Sequence, residues 1–238
     1  MKIKEFLKRF DLVVCLVRIL RKIRVIPYLL YRPIAIRSYM CSHTVKKLQL
    51  GAGGHLDTWL CTDVAPAHRK VVYLNATRPF PFADSTFDYV FSEHMIEHIS
   101  YEQGRAMLRE CHRILKPRGT VRIAAPDLAV LLGLYSATLN PTQRRYIQWI
   151  TDSYIGVGSY EAVFVINNAF RNWGHQFLYD RKLLQMAMTE AGFVDIRCQA
   201  PGASGDASLQ GIEAHGKNVG DEEMNAFETM VLEGTCSK

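Results

Sequence analysis

The chain has 238 residues, of which 48% are apolar and 22% charged, which suits one globular α/β domain with a substantial core and an appendage. Residues 1–47 hold 12 Lys/Arg against two acids, a net of +10, whereas residues 48–238 hold 17 against 21, a net of −4. The longest early apolar run, residues 12–17, is far short of the ~20 residues of a membrane-spanning helix. We therefore expect neither a spanning helix there nor a cleavable signal peptide.

The basic N-terminal segment, residues 1–44, is predicted to stand apart from one domain over residues 45–238. Within residues 3–26 apolar side chains recur at spacings of three and four, which predicts an amphipathic helix. Pro27 is expected to end this helix, and Pro33 to keep the next stretch irregular.

Two interpretations of residues 1–26 stay open. They bind an anionic membrane surface, or they pack on their own domain with a solvated basic face. No nucleic-acid partner is expected, because bulky aliphatic residues stand where a nucleic-acid face more often interleaves aromatic and polar side chains.

The cysteines are scattered along the chain, without a C-x-x-C pair: Cys15, Cys41, Cys61, Cys111, Cys198 and Cys236. Such spacing is typical of a reducing compartment and argues against a disulfide framework or a zinc site. We expect a cytoplasmic protein without a metal site, at the inner face of the membrane if its basic segment binds lipid.

From residue 45 onward, apolar runs alternate with amphipathic stretches. The patterns predict strands at 45–50, 59–64, 71–75, 87–92, 120–125, 193–199 and 227–233, and helices at 101–115, 126–137, 141–152 and 181–191. Residues 160–170 are ambiguous, and residues 201–220, with five glycines, indicate a long loop. Such alternation predicts a mostly parallel sheet covered on both faces, with the last strand pairing with the sixth as a hairpin edge.

A glycine cluster, Gly51-Ala52-Gly53-Gly54, follows the first strand, and Asp63 ends the second. Glycines at the carboxyl end of a parallel strand let the backbone approach a nucleotide-like ligand, and an acid on the next strand binds ribose hydroxyls. Only eight residues, 51–58, separate the two predicted strands. Because a parallel crossover normally takes a dozen or more residues, we expect its helix to be missing and one side of the ligand to be exposed.

Further blocks follow in order: Trp59–Asp63, Pro79–Asp88, Ser92–His98, Arg109–Pro117, Ala125–Asp127 and Trp173–Asp180. With these blocks, residues 48–127 resemble class I S-adenosylmethionine-dependent methyltransferases, and the chain is similar to small bacterial predicted methyltransferases associated with surface-polysaccharide genes. The resemblance implies a Rossmann-like fold with a terminal antiparallel strand, S-adenosylmethionine as the cofactor, and an acceptor-side insertion at residues 138–180. It also implies methyl transfer, which we take to be O-methylation of a glycan or small metabolite.

The resemblance assigns cofactor binding to residues that follow the first four strands: Gly51, Ala52, Gly53, Asp63, Asn75, Ala76, Glu93 and His94. Asp63 would accept from both ribose hydroxyls, and Asn75 and Ala76 would meet the adenine. Asn75 stands where an aspartate is more usual, and Arg118 replaces the first glycine of a Pro-Gly-Gly turn. We expect Gly119 to supply any positive φ that this turn needs.

Candidate catalytic residues are His98, His175 and Asp127. A hydroxyl acceptor needs a base, and histidine is the commonest one. The alternatives stay open: His98 caps a helix or bonds within the core, His175 is a surface residue beside a core tryptophan, and Asp127 is a helix N-cap.

Two other functions compete with methyl transfer. The first is a non-catalytic binding or scaffold protein of the same fold that docks at a membrane surface, which the short crossover and Asn75 favour. The second is a nicotinamide-dependent oxidoreductase, which is disfavoured because Leu56 occupies the third glycine position of G-x-G-x-x-G.

Overall fold

The computed structural model describes residues 25–53 and 56–238. Its strands are β1 (Lys47–Leu50), β2 (Leu60–Asp63), β3 (Val72–Tyr73), β4 (Phe87–Glu93), β5 (Leu115–Pro126), β6 (Phe193–Gln199) and β7 (Thr229–Cys236). Its helices are α1 (25–42), α2 (Tyr101–Ile114), α3 (Leu128–Gly133), α4 (Pro141–Ile150), α5 (Ala162–Arg171), α6 (Arg181–Glu190), α7 (His215–Val219) and α8 (Glu222–Glu228). A 3₁₀ turn spans Ile96–His98, and a π-helical turn, Thr151–Ile155, continues α4.

One seven-stranded sheet organises the molecule, in the order β3-β2-β1-β4-β5-β7-β6. The first five strands run parallel, and β7 is antiparallel to both β5 and β6. This confirms the predicted Rossmann-like, mostly parallel sheet with a terminal antiparallel strand. The last strand was expected at an edge, but it pairs on both sides, so the edge strand is β6.

The main hydrophobic core lies on one face of this sheet. Leu48, Val90 and Ile123 project from the strands against Leu108 of α2 and Leu184 of α6. The C-terminal part of α1 packs on the same core through partly buried side chains. Burial of these aliphatic groups is the main stabilising contribution of the face.

The opposite face is covered by a loop rather than by a helix. None of the described residues between β1 and β2 is helical, as the short crossover predicts. Leu209, from the segment after β6, instead packs fully buried in the cluster that contains Trp59 and Phe91. The loop at residues 200–214 therefore covers apolar surface over which a longer crossover would lay a helix.

A buried arginine ties this loop to the sheet. Arg122 on β5 is fully buried, and its Nε lies 2.5 Å from Glu213 Oε1 while Nη1 pairs with Glu233. Nη1 also donates to the Ala203 carbonyl at 2.9 Å. Because a buried charge is costly unless it is paired, the two carboxylates and the arginine hold one another in place.

A second group of helices lies over the carboxyl edge of the sheet. Leu131 of α3, Tyr146 of α4, Val165 of α5 and Met224 of α8 pack in one buried cluster. The ambiguous residues 160–170 fall largely within α5. Much of this layer comes from residues 138–180, so the predicted insertion lies next to the edge where ligands bind in open parallel sheets.

The prediction for the prolines near the N-terminus was wrong. Residues 25–42 are helical through both Pro27 and Pro33. A proline removes one helical hydrogen bond and favours a kink, but contacts elsewhere can offset that cost. Tyr39 supplies such contacts, because it is buried and its hydroxyl lies 2.9 Å from the carbonyls of both Lys47 and Thr58. Residues 3–24 of the predicted amphipathic helix lie outside the described residues.

Arg118 and Gly119 were expected in a turn before the fifth strand, but both lie within β5. The positive φ, +62°, belongs to Arg118 and not to Gly119. Gly119 is needed for close approach instead, since a Cβ there would lie 3.0 Å from the Asp88 carbonyl oxygen.

Among residues 25–53 and 56–238, no helix is both long and apolar enough to cross a bilayer.

The Arg122 ion pairs can be tested by Arg122→Met. The variant leaves Glu213 and Glu233 without their buried cation, so we expect the free energy of unfolding to fall by about 3–5 kcal/mol. Urea denaturation measures this loss. Arg197→Met is the matched control, since Arg197 is an exposed arginine on β6, the edge strand beyond β7, and its effect should stay within about 0.5 kcal/mol. Equal midpoints for the two variants would contradict the assigned role of Arg122.

Candidate functional site

A first cavity of about 540 Å³ opens at the carboxyl ends of β1, β2 and β4. Its lining residues are Gln49, Gly51, Gly53, Leu56, Asp63, Val64, Glu93, His94, Met95, His98, Ala214, His215 and Asn218. The volume lies within the range of small-molecule sites, and the position is the usual one for a ligand of an open parallel sheet.

The backbone conformation and close packing of Gly51, directly after β1, require a glycine there. Gly51 has φ +68°, and a Cβ built on it would lie 2.3 Å from Met95 Cγ. The Ala52 amide then donates to the Thr62 carbonyl at 2.9 Å, which fixes the turn on β2. Gly53 lines the cavity, whereas Ala52 is buried in the core of the loop-covered face.

Asp63 ends β2 beside this turn and lines the cavity. Its Oδ1 accepts from the Ala65 amide at 2.6 Å, which orients the carboxylate. A carboxylate held at this point can accept from a diol, as the sequence predicts.

Asn75 and Ala76, to which the resemblance assigns adenine binding, lie outside the lining of the first cavity. Asn75 Oδ1 accepts from the amide of Thr77 at 2.9 Å and from its hydroxyl at 2.7 Å. Both hydrogen bonds of this local turn are accepted by the side-chain oxygen of Asn75, the residue that was expected to meet the adenine. Neither Asn75 nor Ala76 lines the first cavity, and Ala76 packs against the main core.

Gln49 is a cavity residue that the sequence analysis missed. It is 6% exposed, and its Oε1 has no hydrogen-bond partner among the described residues. A buried acceptor of this kind normally has a partner, so its position in the lining suits a donor on a ligand. The available signal was a polar residue in the apolar strand Leu48-Gln49-Leu50.

Glu93, at the end of β4, holds α7 against the cavity. Its Oε1 accepts from the amide of His215 at 2.9 Å, and its Oε2 accepts from that of Ala214 at 3.0 Å. Ala214 offers no side-chain cap, so the carboxylate of Glu93 takes that role at the start of the helix. Burial raises the pKa of Glu93, against the lowering effect of these two bonds. The residue thus positions Ala214 and His215 in the lining.

A second cavity, of about 240 Å³, adjoins the first one. It is lined by His94, Glu97, His98, Pro126, Trp149, Ile150, Tyr154, Trp173, His175, His215, Val219 and Glu228. His94, His98 and His215 line both cavities. The aromatic part comes from the predicted insertion, where the Tyr154 and Trp173 rings meet edge to face at 5.1 Å.

A buried ion pair lies at the junction of the two cavities. His94 Nδ1 is 3.4 Å from Glu97 Oε1, and the side chains are 7% and 1% exposed. Burial opposes both charges, but the pair keeps the pKa of His94 above its usual value and that of Glu97 below it. His215 stacks on His94 with ring centroids 4.0 Å apart. Burial, with the His94 charge, lowers the pKa of His215 to about 4, so its ring is neutral at pH 7.

The structure brings two of the three predicted catalytic residues together. The His98 and His175 rings meet edge to face at 4.9 Å. Asp127 does not line the second cavity, and it caps α3 by accepting from the Ala129 amide at 2.9 Å. His215 was missed because residues 201–220 were predicted as a glycine-rich loop, whereas it begins the helix α7. Local sequence pattern gives no position for such a segment relative to the sheet.

The Glu93 contacts predict how the start of α7 behaves. In Glu93→Gln the side chain loses its charge and one acceptor oxygen, so we expect a loss of helix stability of about 0.5–2 kcal/mol. Hydrogen exchange should then quicken at the Asn218 and Gly220 amides, which bond to the carbonyls of Ala214 and Gly216.

Glu190→Gln, at an exposed carboxylate that ends α6, is the control for this measurement. It should leave exchange at these two amides unchanged. Equal exchange in wild type and Glu93→Gln would show that the carboxylate does not hold the helix.

Comparisons with known proteins found similarities to methyltransferases. Residues 59–123 match a family model described as a methyltransferase domain. A SAM-dependent methyltransferase from Archaeoglobus fulgidus is 15% identical, with 92% of this chain and 94% of that chain covered and a TM-score of 0.47. A SAM-dependent methyltransferase from Thermotoga maritima, described as a possible histamine N-methyltransferase, is 15% identical, with coverages of 90% and 92% and a TM-score of 0.46. No curated protein matches the chain.

The domain match and the sheet order support S-adenosylmethionine as the cofactor. The residues of the first cavity fit it. The carboxylate of Asp63 suits a ribose diol, and the unpartnered oxygen of Gln49 suits an ammonium or amino group.

Proposed function

We propose that the chain is an S-adenosylmethionine-dependent methyltransferase that methylates a hydroxyl of a glycan or small metabolite. The observation that carries this proposal is the junction of the two cavities, where His94, His98 and His215 line both. A methyl donor in the first cavity and an acceptor in the second would meet there, and such alignment is the main requirement of methyl transfer.

The residues of the first cavity have distinct proposed roles. Asp63 holds the ribose hydroxyls, the Gly51–Gly53 turn lies beside the cofactor, and Gln49 accepts from a donor on it. When bound, the cofactor supplies a methyl group on a positively charged sulfur. At the same edge of the sheet, Glu93 positions His215. His94 forms an ion pair with Glu97.

The second cavity supports an oxygen acceptor. A hydroxyl must lose its proton as the oxygen reacts, and His98 and His175 provide basic groups at the junction. The rings of Trp149, Tyr154 and Trp173 suit the apolar face of a sugar or an aromatic ring. A glycan or a small metabolite with a hydroxyl group is the acceptor that we propose for this cavity.

Calorimetric titration with S-adenosylhomocysteine, S-adenosylmethionine and NAD tests the cofactor. We expect both sulfur compounds to bind and NAD not to bind. In Asp63→Ala, affinity for S-adenosylhomocysteine should fall about 10- to 100-fold, because hydrogen bonds to a charged group contribute ~1.5–3 kcal/mol. Asp63→Asn, which can still accept from the Ala65 amide, should lose less.

Asp57→Ala is the matched control, since Asp57 is an exposed carboxylate of the same crossover outside the cavity lining. Its affinity should equal that of the wild type. Undiminished affinity in Asp63→Ala would overturn the assigned cofactor site. Tight product binding without methyl transfer to any hydroxyl-bearing acceptor would favour the scaffold function instead.

An exposed apolar stripe on α1 supports membrane docking as a second function. Ile26, Leu30 and Ile34 recur every fourth residue and are 49%, 73% and 65% exposed. They lie within residues 1–47, whose net charge is +10. Apolar residues beside basic charge suit a surface of anionic lipid.

Sedimentation with anionic vesicles tests this docking. Leu30→Ser with Ile34→Ser should lower the bound fraction at least about tenfold, because each buried aliphatic side chain contributes ~1.5–3 kcal/mol. Deletion of residues 1–26 should lower it sharply as well, through lost charge. Leu132→Ser with Tyr135→Ser is the control, at side chains 52% and 78% exposed in and just after α3. Unchanged sedimentation of the first two variants would exclude the membrane proposal.

A further inference from the structure

We propose that Glu97, His98 and His175 bind one divalent transition-metal ion at the junction of the two cavities. One ligand atom from each of these side chains lies within 4.8 Å of the other two. The part of the proposal that concerns the acceptor rests on the proposed methyl transfer, but the metal site itself does not.

The buried carboxylate of Glu97 has the surroundings of a cation ligand. The residue is 1% exposed, and neither of its carboxylate oxygens accepts a hydrogen bond from the described residues. The ion-pair contact with His94 is made by Oε1, at 3.4 Å. Because buried carboxylates are normally hydrogen-bonded or bound to a cation, Oε2 is available as a metal ligand.

The hydrogen bond of His175 leaves one of its ring nitrogens free to bind a metal. His175 Nδ1 lies 2.7 Å from the Ala169 carbonyl and can only donate to it. Its Nε2 therefore carries the free lone pair, as in metal-bound histidines, whose other ring nitrogen commonly donates to a carbonyl or carboxylate. His98 meets this ring edge to face, with the centroids 4.9 Å apart.

Backbone contacts hold the two ligand-bearing segments together. The Gln176 amide donates to the Glu97 carbonyl at 2.7 Å, and Gln176 Nε2 donates to the His98 carbonyl at 2.7 Å. The Phe177 amide also bonds to the Glu97 carbonyl, at 3.2 Å. The ligands are thus placed by the fold before a metal binds, which lowers the entropic cost of forming the site.

The ligand types select the metal. Two imidazoles and one carboxylate suit Zn²⁺, Co²⁺, Fe²⁺ or Mn²⁺, whereas Ca²⁺ and Mg²⁺ prefer oxygen ligands. The expectation of no metal rested on the cysteine spacing, and these ligands contain no sulfur. A metal held by three protein ligands would keep a further coordination position for water or substrate.

An acceptor hydroxyl can occupy that open position. Coordination makes a hydroxyl more acidic, so that its proton passes to water near neutral pH. In this arrangement His98 and His175 act as ligands, and the metal takes over the activation that a histidine base would otherwise perform. The aromatic side of the cavity then orients the rest of the acceptor.

Metal titration of the full, tag-free chain after removal of bound metal tests the proposal. The probes are Zn²⁺ followed by calorimetry and Co²⁺ followed by its visible absorption. We expect one equivalent to bind the wild type. Affinity should fall at least about 100-fold in both Glu97→Gln and His175→Asn, since loss of supporting groups alone costs ~10- to 100-fold.

The control is His68→Asn, at an exposed histidine between β2 and β3, and it should bind like the wild type. His175→Asn guards against misfolding of Glu97→Gln, because it leaves the His94–Glu97 pair intact. Thermal unfolding of each variant shows that it is folded. No stoichiometric binding by the wild type, or equal affinity in wild type and His175→Asn, would overturn the proposal.

Titration with S-adenosylhomocysteine in the same samples separates the two proposals. Metal binding that is lost in both variants supports the metal site whether or not the sulfur compound binds. Binding of S-adenosylhomocysteine without metal binding overturns the metal site and leaves the proposed methyl transfer standing.

Discussion

The buried Arg122 guanidinium is the interaction on which the second face of the sheet depends. The crossover from β1 to β2 is too short to bring a helix to that face, so residues 200–214 cover it. Arg122 fixes this loop through Glu213, whose Oε2 also accepts from the Gly202 amide at 3.1 Å. The same loop leads directly into α7, so a structural ion pair also determines where His215 lies beside the cavities.

The candidate site brings together three segments that are distant in sequence. Residues 93–98, from the end of β4 through the 3₁₀ turn, supply Glu93, His94, Glu97 and His98, the loop before α6 supplies His175, and α7 supplies His215. Each segment is held by hydrogen bonds to main-chain groups of another, as with Glu93 and α7 or Gln176 and the 3₁₀ turn. Such mutual support keeps polar side chains in fixed positions within a largely apolar edge.

Much of the fold could be predicted because hydrophobic pattern and parallel pairing leave few alternatives. Residues 193–199 were predicted as a strand and form β6 with the same bounds. Asp63 and Gly51 share one cavity because parallel strands end at one edge. The rest depends on tertiary contacts. The side-chain oxygen of Asn75 accepts from the amide of Thr77 instead of facing the first cavity. The helix α1 runs through two prolines, and its Tyr39 makes contacts with the rest of the domain. Neither effect is visible in local sequence.

The position of β7 has a consequence for synthesis on the ribosome. This strand follows β6 along the chain but lies between β5 and β6 in the sheet. Until residues 229–236 emerge from the exit tunnel, β6 has no partner and one edge of β5 is open. Unpaired edges are templates for intermolecular association. The nascent polypeptide therefore passes through an interval in which chaperone protection matters, and that interval closes only when β7 inserts.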